Sequence, residues 1–391
     1  MSIKYLVGNK KISNQPSVPF GTNELKFLDD FSKIIKSDKS TKNKSDILSF
    51  SFWCRKKNLV KLSNDIINKN LKVGIGLIFH ITPSNVPTNF LFSLILGLIT
   101  GNSNIIKVPQ REFDEINIIC NCLNKALRKN KKIQNRIAVV RYDDDFFTRK
   151  FSSMCDGRMI WGGDNTIKNL RKIETKPRNR DINFADRYSF AIINAEQILK
   201  LDQNKLLNLT NNFFNDTYKF DQNACTSPHL IAWYGNKNKI SLAKNKFWNS
   251  LYKIVKNKYK ITNFVANDKL NELYKLSIEN DKLGKLTSHE NMIYRFQFDK
   301  VPLNNDKIRG KWGIFFETEI KSFSKLNNFV NEKYQTLTYF GFSKKVLENL
   351  FLKYKFRGID RIVPVGSSMN LSLIWDGYDL KNILTRNIEI L

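Results

Sequence analysis

From residue 73 onward, short apolar runs alternate with segments whose apolar residues follow a helical spacing. The run at 73–81 is continuous and rich in β-branched residues, which is typical of a strand buried on both faces. A helix beginning at Pro87, a strand at 104–108 and a helix at 112–129 follow it. This order predicts a parallel sheet covered by helices.

The alternation continues to the end of the chain. Further strands are predicted at 136–142, 158–162, 189–194, 229–234, 294–298, 313–319, 336–342 and 361–365. Further helices are predicted at 146–152, 164–172, 199–214 and 240–256. We therefore predict an α/β chain with two parallel-sheet domains.

Composition limits the functional classes. The 391 residues are 41% hydrophobic and 12% aromatic, which excludes a largely disordered chain. Lys and Arg number 65 against 36 Asp and Glu, a net charge of +29 that leaves a nucleic-acid-binding protein as one interpretation. Because the basic residues are spread along the whole chain, a compositional bias of the surface is the simpler explanation.

Cysteines and apolar segments give further limits. Five scattered cysteines without a C-x-x-C pair, and three histidines without metal-ligand spacing, predict no disulfide framework and no metal site. This usage is typical of a reducing cytoplasm. Residues 1–10 do not resemble a signal peptide, and the apolar run 90–100 is about half of the ~20 residues that span a bilayer.

Several motifs lie between predicted strands and helices, where ligands of parallel sheets bind. The turn 82–87 contains Asn85, whose amide could donate to an oxyanion, although from composition alone a helix-capping turn is the simpler explanation. Lys107 ends a strand, and Gly162 and Gly163 form a turn open to phosphate. Cys225 lies in a polar loop that suits a nucleophile, and an inert thiol is the alternative.

The order and spacing of these motifs resemble the aldehyde dehydrogenase superfamily, and within it the LuxC-type acyl-CoA reductases, the fatty-acid reductase subunit of bacterial bioluminescence operons. The resemblance covers roughly residues 70–385 and rests on 81–87, 101–109, 160–167, 222–228 and 375–380. It implies two Rossmann-like domains: a nucleotide-binding domain with an N-terminal extension (1–190) and a catalytic-thiol domain (191–364), followed by a C-terminal segment (365–391).

The resemblance also implies roles for individual residues. Cys225 corresponds to the catalytic nucleophile, and Asn85 to the asparagine that helps to form the oxyanion hole. Lys107 corresponds to the lysine that contacts the adenosine ribose. The remaining expected cofactor-binding residues are Thr82, Pro83, Ser84, Gln110, Arg111, Gly162 and Gly163.

Three departures from the superfamily pattern affect the expected reaction. Residues 184–187 (Phe-Ala-Asp-Arg) lack the glutamate that activates water, which favours reduction of a thioester over its hydrolysis, although nearby Asp186 could replace that base. Neutral Gln110 beside Arg111 stands where NAD-preferring relatives have a glutamate, so NADPH is the expected cofactor. Gln222 lies three residues before the thiol, an unusual spacing.

The resemblance therefore implies NADPH-dependent reduction of a fatty acyl group, held as a thioester on Cys225, to a long-chain aldehyde. The acyl donor would be acyl-CoA or a LuxE-type acyl-protein synthetase partner, and a homo-oligomer is compatible with the sequence. An acyl-phosphate reductase of the glutamyl-phosphate type, a nucleic-acid-binding protein and a non-catalytic scaffold remain the alternatives.

Overall fold

The computed structural model describes residues 2–42, 44–63, 71–370 and 372–391. The strands are β1 (Lys4–Val7), β2 (Leu71–Gly74), β3 (Leu77–Ile81), β4 (Ser103–Lys107), β5 (Ile137–Arg141), β6 (Gly157–Trp161), β7 (Arg180–Phe184), β8 (Tyr188–Asn194), β9 (Pro228–Tyr234), β10 (Leu283–His289), β11 (Ile293–Phe298), β12 (Ile314–Ile320), β13 (Tyr334–Phe340), β14 (Arg361–Pro364), β15 (Ile374–Trp375), β16 (Tyr378–Asp379) and β17 (Thr385–Ile388). The helices are α1 (Thr22–Ser37), α2 (Ser45–Trp53), α3 (Lys56–Ser63), α4 (Asn89–Ile99), α5 (Asp114–Lys129), α6 (Asp145–Met154), α7 (Asp164–Leu170), α8 (Ala195–Leu199), α9 (Gln203–Thr217), α10 (Lys237–Lys258), α11 (Asn263–Glu279), α12 (Lys344–Tyr354) and α13 (Leu380–Ile383). The predicted α/β class is confirmed.

The chain divides into two compact units. The first contains Met1–Asp186 together with Leu371–Leu391, and the second contains Arg187–Asn370. Most of the predicted C-terminal segment thus groups with the first unit, where β17 pairs antiparallel with β2.

The sheet of the first unit has the order β1-β5-β4-β3-β6-β7. Its strands are parallel except β1, which pairs antiparallel with β5 at one edge. From central β3 the chain first adds strands on one side, to β4 and β5, and then on the other, to β6 and β7. Such a change of direction opens a crevice at the carboxyl ends of the central strands.

Both faces of this sheet are buried, as the continuous apolar runs predict. Ile78 and Ile106 belong to the cluster on one face, and Phe79 and Val140 to the cluster on the other. In α4 every residue from Phe90 to Ile99 is buried, so this apolar run lies inside the unit. Within the described ranges, no helix combines the length and apolar character needed to cross a bilayer.

The single strand predicted over 73–81 is wrong. The chain forms β2 and β3 instead, and Gly76 between them has a φ of +132°. A Cβ at this position would collide with the Asp156 carboxylate, so the break requires glycine. The following helix begins at Asn89 rather than at Pro87.

The sheet of the second unit has the order β10-β11-β12-β9-β8-β13-β14, with β10 antiparallel to its neighbour and the other strands parallel. Aromatic side chains of α9 and α10, including Phe213 and Trp248, pack on one face. Leu276 of α11 and Leu347 of α12 pack on the other. This sheet is therefore also buried on both sides.

Candidate active site

Three neighbouring strands of the first sheet end side by side. Ile81 at the end of β3 is in register with Lys107 on one side and with Ile160 on the other. Because these strands are parallel, the turns after β3 and β6 leave from the same edge of the sheet. The predicted cofactor residues of 82–84, 107 and 162–163 therefore lie at one carboxyl edge.

A buried hydrogen-bond network holds the strand ends beneath these turns. The Asn104 amide nitrogen donates to a backbone carbonyl, so its oxygen accepts from His80 Nε2 at 2.9 Å. Nδ1 of His80 then accepts from the Ser93 hydroxyl at 2.7 Å, and that hydroxyl accepts from Trp161 Nε1 at 3.0 Å. Burial lowers the pKa of His80 to about 4, so the ring is neutral and structural.

The turn after β3 is anchored at one end and exposed at the other. The backbone N–H and the hydroxyl of Thr82 both donate to the Lys107 carbonyl, at 3.3 and 2.8 Å. Pro83 is half-buried, whereas Ser84 and Asn85 are exposed. Polar groups of this turn are thus presented to solvent above a fixed base.

Lys107 keeps its ammonium group close to an aromatic ring. Its Nζ lies 4.6 Å from the centre of the Tyr142 ring. Burial lowers the pKa of Lys107, and the carboxylates of Asp145 and Asp143 act in the opposite direction. The side chain therefore combines a cation with an apolar contact, an arrangement that suits a ribose bearing a neighbouring phosphate.

Of the other predicted nucleotide residues, Gln110, Arg111 and Gly163 are exposed and Gly162 is half-buried. Gln110 and Arg111 follow β4, and the Arg111 guanidinium lies 5.2 Å from the centre of the Phe113 ring. Gly163 has an ordinary extended backbone, with φ −67° and ψ 161°. A Cβ there would meet nothing within 4 Å, whereas one at Gly162 would lie 3.2 Å from Thr166. The backbone does not demand glycine at 163, but the space above it is open.

Cys225 lies in the second unit, in the loop between α9 and β9. Because the loop precedes a parallel strand, the thiol is at the amino edge of its sheet. Asp221 and Gln222 have left-handed φ values of 51° and 60°, and the Gln222 amide bonds both the Gly313 N–H (2.8 Å) and the Ile314 carbonyl (3.1 Å). The unusually placed glutamine therefore fastens the loop to the start of β12.

A buried serine fixes the backbone of the candidate nucleophile. The Ser189 hydroxyl donates to the Cys225 carbonyl at 2.6 Å and accepts from the Thr336 N–H at 3.2 Å. Cys225 itself is half-buried, whereas Cys54, Cys120, Cys122 and Cys155 are buried. Burial raises the pKa of each of these four thiols, which makes them poor nucleophiles.

The structure also shows the positions of residues 184–187, the segment that lacks the superfamily glutamate. Phe184 ends β7 with its ring stacked on Trp161, the centroids 3.7 Å apart. Asp186 is exposed, and Arg187 donates to the Tyr334 carbonyl (2.7 Å) and pairs with Asp360. Among the described side chains, no group of three or more His, Cys, Asp and Glu is arranged to hold a metal ion.

Comparison with known families gives a match over more than half of the chain. Residues 64–289 match the family described as acyl-CoA reductase (LuxC). The chain belongs to the acyl-CoA reductase (LuxC) family. It is accordingly an aldehyde-forming acyl reductase, and the matched region contains both Asn85 and Cys225. The search of curated proteins returned no match.

Solved structures similar to this acyl-CoA reductase are aldehyde dehydrogenases. Aldehyde dehydrogenase 21 from Physcomitrella patens, in complex with succinate, is 12% identical, with 94% of this chain and 85% of that chain covered at a TM-score of 0.64. The NAD-dependent benzaldehyde dehydrogenase from Corynebacterium glutamicum is 10% identical, with 95% and 85% covered at 0.62. At these identities the likeness establishes the fold, and the predicted aldehyde dehydrogenase-like architecture is confirmed.

Two supporting residues of this reductase had no recognisable signal in the sequence. In the sequence, His80 is one polar residue within an apolar run, and Ser189 is the first residue of another predicted strand. Their importance comes from partners 13 to 147 positions away along the chain. Only the three-dimensional contacts reveal that they support the segments bearing the candidate site.

Proposed function

We propose that the protein reduces a fatty acyl group, held as a thioester on Cys225, to a long-chain aldehyde with NADPH. The observation that carries this proposal is the contrast among the five thiols. Cys225 is half-buried on a hydrogen-bonded loop, and the other four are buried with raised pKa values. A thiol available for acyl transfer is what the reaction requires.

The chain's own groups account for the acyl transfer and for the release of the aldehyde. The Cys225 thiolate attacks the acyl carbonyl carbon of an acyl-CoA, an S–C bond forms, and CoA leaves as its thiolate. The Cys225 backbone N–H and, by the family resemblance, the Asn85 amide donate to the carbonyl oxygen as it gains charge. Once hydride from a reduced nicotinamide has reached the thioester carbon, collapse of the thiohemiacetal oxyanion would re-form the C=O bond, break the S–C bond, release the aldehyde and return the Cys225 thiolate. No glutamate in 184–187 competes by activating water.

A reduced nicotinamide nucleotide, when bound, supplies the hydride for this reduction. We assign it to Thr82, Pro83, Ser84, Lys107, Gln110, Arg111, Gly162 and Gly163. Open space above Gly163 and the cation at Lys107 fit a dinucleotide with a pyrophosphate. A 1-pyrroline-5-carboxylate dehydrogenase from Thermus with this fold is described with bound NAD.

The preference for NADPH rests on charge. Gln110 is neutral and Arg111 is cationic, so a 2′-phosphate would meet no carboxylate at these two positions. Asp143 and Asp145 favour the charged form of Lys107, but their own negative charges would oppose a 2′-phosphate bound nearby. We propose that Arg111 outweighs them, and a comparison of kcat/KM for NADPH and NADH decides the point.

The acyl group would come from a fatty acyl-CoA or from a partner acyl-protein synthetase of the LuxE type. None of the five cysteines, all of which the structure describes, forms a disulfide, which suits a reducing compartment such as the cytoplasm. A homo-oligomer is part of the same proposal. Mixing the protein with a purified synthetase, labelled fatty acid and ATP tests the partner directly.

The decisive experiment follows the acyl group on the protein. Wild-type protein incubated with radiolabelled tetradecanoyl-CoA should become labelled, and NADPH should release the label as aldehyde. Cys225→Ala should take up no label, whereas Cys155→Ala, a control at a buried thiol, should behave as wild type. Label on Cys225→Ala would refute the nucleophile.

The same assay addresses the alternatives. Turnover of γ-glutamyl phosphate without turnover of acyl thioesters would favour an acyl-phosphate reductase. Steeply salt-dependent binding to DNA or RNA, without any acyl transfer, would favour a nucleic-acid-binding protein.

A further inference from the structure

The turn formed by residues 366–370 is held from one side by a buried carboxylate. Asp216, in the last turn of α9, is 1% exposed. Its Oδ2 accepts from the Gly366 N–H at 2.6 Å, and its Oδ1 accepts from the N–H and hydroxyl of Ser368 at 3.1 and 2.8 Å. Three donors on one buried carboxylate fix the start of this turn.

The same turn is held from the other side by a half-buried cation. Arg361, the first residue of β14, donates from Nη1 to the Ser368 carbonyl. Its Nη2 donates to the carbonyls of Ser367 (3.2 Å) and Asn370 (2.8 Å). Carbonyls that would otherwise point in different directions thus converge on one guanidinium.

Asp216 and Arg361 together form a clamp on the 366–370 turn. The clamped turn contacts the loop that carries the candidate nucleophile. Thr226, directly after Cys225, donates its hydroxyl to Met369 Sδ at 3.2 Å. Ser227 donates its hydroxyl to the backbone carbonyl of Asp216 at 2.8 Å. A shift of the turn would therefore disturb the contacts of the two residues that follow the thiol.

Arg361 also acts on Cys225 by its charge. Burial lowers the pKa of Arg361 to about 10, while Asp216 and Cys225 favour its charged form. Arg361 is thus a cation at neutral pH, and its electrostatic interaction with Cys225 favours the ionised sulfur.

We propose that Arg361 is a positioning residue for Cys225, which holds the 366–370 turn against the loop and keeps its positive charge within electrostatic reach of the thiol. Asp216 is the second half of this clamp. The proposal rests on the proposed function in one respect only, that Cys225 is the nucleophile. Its test needs neither acyl-CoA nor nucleotide.

The titration of other groups around the loop must be distinguished from the titration of the Cys225 thiol. Burial raises the pKa of Asp216 to about 6, against the lowering effect of its donors from Gly366 and Ser368. Burial also raises the pKa of Asp221, which accepts from the Tyr259 hydroxyl. Burial and the nearby Arg309 lower the pKa of His229 to about 3. Asp216 and His229 thus change little above pH 7, where the thiol is measured.

The experiment is the pH dependence of Cys225 alkylation by iodoacetamide, followed by mass spectrometry of the Cys225 peptide. Arg361→Gln should raise the midpoint of the rate profile by about one pH unit, because an adjacent cation typically shifts a thiol by at least that much. Arg361→Lys keeps the charge and should restore most of the shift. Arg357→Gln removes an exposed cation from the same segment and should leave the midpoint unchanged.

Each outcome bears on the inference. A folded Arg361→Gln protein with the wild-type midpoint overturns it, as does an equal shift in Arg357→Gln. A purely structural Arg361 would lower the melting temperature of both Arg361 variants without separating their midpoints. If Arg361→Gln does not fold, the wild-type protein still decides: a native midpoint at or above that of the urea-unfolded chain overturns the proposal.

These results are independent of the acyl-transfer assay. Failure of tetradecanoyl-CoA to label wild-type protein would refute the proposed function, even with a normal shift in alkylation. An unchanged alkylation profile alongside normal acyl labelling would refute only the role of Arg361.

Discussion

Substitutions of Asn85 and of Cys225 should affect different steps of the reaction. Asn85 is exposed in the turn after β3, so its loss should leave the fold intact. We expect Asn85→Ala to accept the acyl group and to reduce it about a hundredfold more slowly, the effect of losing one oxyanion donor. Single-turnover measurements of acylation and of aldehyde release test this. Asn117→Ala, at an exposed asparagine of α5, is the control, and an equal loss in both variants would contradict the assignment.

Gln110 is the residue at which nucleotide preference should be easiest to change. A carboxylate at this exposed position would repel a 2′-phosphate and could accept hydrogen bonds from ribose hydroxyls. Gln110→Glu should therefore lower kcat/KM for NADPH relative to NADH by about tenfold, or about 1.4 kcal/mol. Gln110→Asn, which stays neutral, is the matched control. An unchanged ratio would place the 2′-phosphate elsewhere.

Among the elements, the central strands could be predicted from the sequence, whereas the edge strand β10 could not. Strands β3, β4, β8 and β9 are buried on both faces, and their continuous apolar runs identify them. The edge strand β10 is mostly exposed and lacks such a run, so the same criterion overlooks it. Helix α11 was missed as well, although Leu273 and Leu276 are buried on one side.

The C-terminal segment should contribute strongly to the stability of the first unit. Leu384 is fully buried in the same cluster as α4, just before β17. Leu384→Ala should lower the free energy of unfolding by about 2–5 kcal/mol, the usual cost of such a cavity. Ile390→Ala, at a side chain that is 81% exposed, should change it by less than about 0.5 kcal/mol. Urea denaturation of both variants measures the difference.

Across the whole molecule, mild acid should be destabilising in a way that can be traced to His80. The pKa of this buried ring is lowered to about 4, whereas in the unfolded chain it is about 6.5. Between pH 7 and pH 5 the unfolded chain binds a proton there and the folded chain does not, so stability falls by about 2 kcal/mol. His80→Gln should lose about that much less over this interval. Asp216 acts in the opposite direction but equally in both proteins, so it cancels.

The site was predictable to the extent that it depends on sequence order. Thr82, Lys107 and Gly162 each lie at the end of a recognisable strand, and parallel strands bring such positions to one edge. The clamp on the 366–370 turn was not predictable, because Asp216 and Ser368 are 152 positions apart. For Arg361, nothing in the sequence indicates which carbonyls it binds.

The Cys225 thiol lies at the amino edge of its sheet. The connections at the carboxyl edge of the same sheet have a structural role instead. There Asn194, Asn236 and Ser343 each begin a helix by accepting from its backbone N–H groups. Gly235 and Gly341 make the tight exits from β9 and β13. Substitutions at these connections should therefore lower the stability of the second unit without changing the alkylation of Cys225 at the other edge.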